Sequence, residues 1–298
     1  MRGTGGVKVP EPRANPGHPM AKFFDGLRRA RREHYAGSDH APAGGSNRRA
    51  VLTMVHNEPV FLPIWLRYYS RFFGPDDIYV LDHDTTDGST AGDGFVRVPV
   101  SHDTVDHTWM VRTIEAHQRE LLESYDVTLV TDVDEIVAPA PEWGTLGDYI
   151  DRLDEAFVNC LGYEILHLVD REGPFEPERP VLEQRGYWFA NDAYDKPALA
   201  MEPMRWEPGF HAREDLQMRL DPDLLLIHLH RMDYESCLAR HRYRRGRAWN
   251  EHDLTESWAS HNLITEEAEF ARWFYEDSCF DSIEMVVEPI PPDWRGLF

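Results

Sequence analysis

The chain is predicted to fold as an α/β protein whose mostly parallel sheet is flanked by helices. Three observations carry this expectation. Apolar runs of strand length stand at 51–55, 78–81 and 127–130, amphipathic stretches separate them, and each run ends in a polar cluster. Taken in order, Val51 to Val55 reads as the first strand, and the stretch from Glu58 to Phe73 follows as a helix. It spaces Phe61, Trp65 and Tyr69 four residues apart, with Ile64, Tyr68 and Phe72 beside them. Ile78 to Leu81 is the second strand. His107 to Tyr125 carries Met110, Val111, Ile114, Leu121 and Leu122 at helical spacing before the third strand, Val127 to Val130. Strand and helix in alternation imply parallel pairing with crossover helices.

Beyond Pro139 the pattern loosens into Pro-rich connections, from which Leu224 to His230 emerges as a strand and Asp233 to about Trp249 as a helix. No Gly/Ser linker divides the two halves. The expected organisation is therefore one domain over 49–298, with a first half at 49–140 and a second at 141–298. Residues 1–48 are rich in Gly, Pro and Arg, and FFDGLRRARREHY is their one periodic stretch, so a flexible basic arm is expected there, with Met20 a second candidate start.

Composition excludes several classes. Across 298 residues, 42% hydrophobic and 12% aromatic content is ample for a buried core, which argues against disorder. Apolar runs are far shorter than the ~18 residues that a spanning helix needs, and a signal-peptide core is lacking, so a cytoplasmic protein with no transmembrane segment is expected. The 3 cysteines are far apart and form no CxxC pair, which suggests neither a disulfide framework nor a thiolate zinc site. Net charge is −22, and residues 1–50 contribute +6 of opposite sign. An acidic body repels phosphate backbones, so no nucleic-acid partner is expected.

The chemistry-bearing residues sit where an α/β sheet collects its ligands, outside the carboxyl ends of the strands. His56, Asn57 and Glu58 follow the first strand, DHDTTDG follows the second at 82–88, and TDVDE follows the third at 131–135. Asp132 and Asp134 are two apart. On an extended segment both carboxylates point to one side and can share a hard divalent cation. After Lys22 the chain uses arginine throughout, except at Lys196, where a compact ammonium could meet a phosphate or sugar oxygen. Arg240, Arg242, Arg244, Arg245 and Arg247 form a cationic run, read by default as a solvated helix face and otherwise as a diphosphate clamp.

In their order, VLTMVHNE, IYVLDHDTTDGST and VTLVTDVDEIV resemble the family 2-like glycosyltransferases of the GT-A fold. The later KP, WEPGFH and LIHLHRMDY segments resemble a bacterial subgroup of that family. The resemblance implies a GT-A fold with a Rossmann-like sheet and an irregular acceptor-side half. It also implies a metal-dependent transfer of sugar from a nucleotide-diphosphate donor to an unidentified acceptor, in a reaction that inverts the anomeric centre. His56, Asn57, Glu58, Asp82 and Asp84 would then border the nucleoside, together with Asp132 and Lys196 as donor residues. The loop reads DHDTTDG where the commonest family version is DDGSTDG, which leaves open whether Asp82 or Asp84 touches the base or ribose. Asp132 and Asp134 would hold Mn or Mg, with a further ligand from His211 or His230 ahead of His228. The catalytic base is expected at Asp215, in the Glu214–Asp215 pair, with Glu164 and Asp170 as the alternatives. Two other readings stay open: a non-catalytic nucleotide-sugar binding protein on the same fold, and a Mg-dependent nucleotidyltransferase. The latter usually carries a Gly-rich, basic loop where VHNEPVF stands.

Overall fold

A computed structural model describes residues 8–13, 47–258, 260–277 and 285–298. The FFDGLRRARREHY stretch expected as a helix in the arm lies outside these residues. Within them the elements run β1 (Arg49–Val55), α1 (Phe61–Tyr69), β2 (Ile78–His83), β3 (Val96–Val100), α2 (His107–Leu121), β4 (Val127–Val130) and β5 (Glu135–Pro139). Then follow α3 (Leu146–Asp151), β6 (Phe157–Ile165), α4 (Val181–Gln184), β7 (Tyr187–Ala190), β8 (Pro197–Ala200) and β9 (Leu220–His228). The chain closes with α5 (Tyr234–Arg245), α6 (Glu251–Thr255), α7 (Glu267–Glu276) and β10 (Glu288–Pro289).

The sheet order is β10-β7-β6-β8-β4-β1-β2-β3, with β9 joining β5 to β6. Strands β4, β1, β2 and β3 are mutually parallel, as the strand–helix alternation predicts. Beyond β4 the pairing turns antiparallel through β8, β6, β7 and β10, and the loosely patterned second half therefore extends the same sheet. No described helix is long and apolar enough to cross a membrane.

Helix α1 shows how sequence fixes the site. Its apolar stripe buries Phe61, Leu62, Ile64, Trp65, Tyr68 and Tyr69 against the sheet. Each polar tip on that stripe takes a partner just after β4 or within β5, because a buried donor left unpaired is costly. Trp65 Nε1 donates to Thr131 Oγ1 at 2.9 Å, Tyr68 O–H to the Val137 carbonyl at 2.9 Å, and Tyr69 O–H to the Glu135 carbonyl at 3.2 Å. The turn that carries Asp132 and Asp134 is thereby clamped from one side. It is a turn and not the extended segment expected, since Glu135 N–H bonds back to the Asp132 carbonyl at 3.1 Å.

The helix over 233–249 is shorter than expected. Asp233 caps α5 by accepting from Ser236 N–H, and the helix stops at Gly246. Strand β9 likewise ends at His228, so His230 lies in the turn that follows. The segment 8–13 lies against the body: Arg13 N–H donates to the Val287 carbonyl at 2.9 Å, and Val9 packs on the cluster around Phe270 and Phe274.

Candidate active site

A cleft of about 210 Å³ opens at the carboxyl ends of β1, β2 and β4. Eight of the residues expected at the site line it: His56, Glu58, Asp132, Asp134, Lys196, His211, His228 and His230. Its volume is below the ~300–1,000 Å³ typical of small-molecule sites. One reason is Tyr243, which reaches from α5 to the end of β1. Its hydroxyl meets His56 Nε2 at 2.8 Å and Asn57 Nδ2 at 2.5 Å. Asn57 itself has φ of 53°, and its Oδ1 accepts from Thr86 N–H at 2.7 Å and Asp87 N–H at 3.1 Å, which ties the loop after β1 to the loop after β2.

Every carboxylate facing the cleft has a cation beside it. Asp132, with 42% of its side chain exposed, meets Lys196 Nζ at 2.8 Å, and the same ammonium sits 2.6 Å from the buried Glu135. Burial would lower the Lys196 pKa, but the two carboxylates raise it above its ordinary value. Lys196 is thus the strut that holds the Asp132 turn against β8. Asp134 is buried and bonded to Arg240, and burial's upward pull on its carboxyl is overcome by Arg240 and His228, which hold it well below the usual range. Glu58 accepts from Arg240 Nε at 2.9 Å and Nη2 at 2.7 Å, and from Arg244 Nη2 at 3.2 Å.

The arginine run therefore differs from its default reading as a solvated face. Arg240, Arg244 and Arg247 line the cleft, whereas Arg242 faces Glu267 at the surface and Arg245 bonds the Ile264 carbonyl. Positions 240 and 244 are one helical turn apart, so they share a face of α5. Spacing was the available signal.

The histidines divide by geometry. Asp134, His228 and His230 bring ligand-capable atoms within 4.8 Å of one another, an N/O set that suits Mn²⁺ or Zn²⁺. His211 lines the cleft but lies outside that group, its Nδ1 donating to the Ala193 carbonyl, and burial pushes its pKa down to about 4, with Lys196 adding to the shift. His228 sits between Glu164, 2.9 Å from Nδ1, and Asp134, 3.5 Å from Nε2. Burial would lower its pKa, yet the two carboxylates raise it to about 10, so without an ion it is a further cation.

Asn57, Asp82, Asp84, Glu164, Asp170 and Asp215, all expected at the site, do not line the cleft. Asp82 is buried and consumed by the loop: it accepts from Thr85 N–H at 2.9 Å, Thr90 Oγ1 at 2.9 Å and Arg97 Nε at 2.5 Å. Asp84 has φ of 52° and accepts from Ser101 Oγ at 2.8 Å. Glu164 is fully buried behind His228. Asp215 is at the surface, paired bidentately with Arg213 at 3.0 and 2.9 Å. Conversely, His83, His107, Tyr194, Trp249, His261 and Asn262 line the cleft without having been singled out.

The chain matches no protein-family model and no curated protein. Among solved structures it is similar to the mannosyltransferase PcManGT from Pyrobaculum calidifontis, described in complex with GDP-Man and Mn2+. That match covers 82% of this chain and 73% of that chain, at 14% identity and a TM-score of 0.38.

Proposed function

We propose that the chain is a divalent-metal-dependent glycosyltransferase that takes a sugar from a nucleotide-diphosphate donor with inversion at the anomeric carbon. The observation that carries this reading is the convergence of the Asp132–Asp134 turn, His228 and His230 in one cleft with the ends of β1 and β2. Asp134, His228 and His230 would hold the ion, with Asp132 beside them. When bound, the ion supplies charge stabilisation to the departing diphosphate.

The chain's own residues perform the rest. His56, Asn57 and the Tyr243 hydroxyl form a polar edge for the nucleoside at the end of β1. Arg244 and Arg247, with Arg240 behind them, offer guanidinium groups to the diphosphate, whose charge suits planar bidentate donors. Lys196 keeps Asp132 facing the cleft. The test is Mn²⁺-dependent release of nucleoside diphosphate from a panel of nucleotide sugars, with the anomeric configuration of the product read by NMR. Release with inversion supports the reading. Retention of configuration removes the inverting mechanism, and diphosphate release that needs no metal removes the role of the ion.

A further inference from the structure

Inversion needs a base that takes the acceptor proton as the new bond forms. The carboxylates lining the cleft are poorly placed for it, since Glu58, Asp132 and Asp134 are each paired with a cation, and an ion-paired carboxylate is a weak base. Most of the histidines there are also engaged. His56 bonds the His83 carbonyl and Tyr243, His228 is held between two acids, and His230 Nε2 meets His241 Nε2 at 3.0 Å.

His107 is different. It is the first residue of α2, and its ring Nδ1 lies 2.7 Å from Asp253 Oδ2, which also accepts the His107 backbone N–H at 2.9 Å. Asp253 is 1% exposed, and its other oxygen, Oδ1, is buried with no hydrogen-bond partner. A carboxylate can only accept, so Nδ1 carries the proton and the lone pair is on Nε2. Among the described residues, Nε2 of His107 has no hydrogen-bond partner. The support is rigid: Val105 N–H bonds the Ala248 carbonyl at 2.8 Å, Asn250 N–H bonds the Val105 carbonyl at 2.9 Å, and Asn250 Nδ2 bonds Asp106 Oδ2 at 2.8 Å. The segments bearing the two partners are zipped together, as a preorganised dyad requires.

We infer that His107 is the general base of this site and that Asp253 is its positioning residue, an assignment that rests on the glycosyltransferase reading above. The acceptor oxygen forms its bond to the anomeric carbon while the bond from that carbon to the diphosphate oxygen breaks, the electron pair leaving with the diphosphate. The hydroxyl proton passes to His107 Nε2. Asp253 then faces an imidazolium and stabilises it.

The test uses the full chain with Mn²⁺ and nucleotide sugars, water serving as acceptor, and reads release of nucleoside diphosphate. Binding is followed separately by thermal shift. His107→Gln and Asp253→Asn are expected to lower release on the order of 10² to 10⁴-fold with nucleotide-induced stabilisation intact. Added imidazole is expected to restore part of the activity of His107→Ala. Independently of turnover, ¹⁵N spectra of the substrate-free protein should show His107 protonated at Nδ1 and the tautomer lost in Asp253→Asn. A His107 protonated at Nε2 overturns the assignment, and so does wild-type release by His107→Gln. Loss of nucleotide binding along with release would place His107 at the donor instead, which also overturns it. If no nucleotide stabilises the wild type, the donor reading itself has failed, and the base assignment falls with it.

Discussion

Replacing Lys196 with Met tests the electrostatic frame of the cleft. The side chain is 5% exposed and bridges Asp132 at 2.8 Å and Glu135 at 2.6 Å, while Glu135 is itself 1% exposed. Methionine keeps the length and removes the charge, leaving a carboxylate buried beside a second one. Breaking a buried pair in this way costs about 3–5 kcal/mol. At about 2–4 °C per kcal/mol for a domain of this size, the expected loss in Tm is roughly 6–20 °C. Burial already raises the Glu135 pKa, with Lys196 pulling it back, so the variant raises it further. A carboxyl whose folded pKa exceeds its unfolded value is destabilising above the folded pKa, and the penalty is relieved as pH falls through it. Calorimetry in the presence of a chelator should therefore find a larger deficit near pH 8 than near pH 5. Adding Glu135→Gln should recover most of the deficit, because the uncompensated charge is gone. Melting of Lys196→Met within about 2 °C of wild type at both values would refute the reasoning, since that is at most about 1 kcal/mol by the same conversion.

Other variants probe separate links. Gly162→Ala drives a methyl into the Asn191 carbonyl oxygen and to 2.7 Å from the Tyr194 backbone, so urea melts should show a loss of about 1–3 kcal/mol or more. Glu164→Gln loosens the orientation of His228, and Mn²⁺ affinity measured by calorimetry should fall about 10–100-fold, as it does when an outer-shell partner of a ligand is removed. Asp215→Asn breaks only an exposed pair with Arg213, so thermal melts should show a change below ~1 kcal/mol, and release of nucleoside diphosphate should match wild type.

Most of the first half of the fold was legible because its signals are local, although β3 and β5 were not read as strands. Strands β1, β2 and β4 are apolar runs that end in polar clusters, and α1 carries an unbroken apolar stripe. The second half hides its strands because they are buried on both faces and hold polar residues satisfied from afar. In β6, Asn159 pairs with Asp195 and Arg219, and Glu164 pairs with His228, so no alternation survives to mark the strand. The site followed the same division. Asp132, Asp134 and the loop after β1 could be read from strand ends. Arg240 could not, because its partners Glu58 and Asp134 lie 182 and 106 residues away and only the fold brings them together. The same holds for His107 and Asp253, 146 residues apart, whereas Asp215 stood in a suggestive acidic pair that the chain uses for surface ion pairing.

The central claim is that the cleft binds a nucleoside diphosphate through a divalent ion held at Asp134. Thermal shift of the wild type and of Asp134→Asn, with Mn²⁺ and each of UDP, GDP, CDP and dTDP alone and together, tests it most directly, because a ligand that binds the folded state raises the melting temperature by mass action. The account predicts that one nucleotide with Mn²⁺ stabilises the wild type more than either alone, and that Asp134→Asn, though folded, loses this joint effect. A wild type that no nucleotide stabilises in the presence of Mn²⁺, or a variant that keeps the full joint shift, would contradict it.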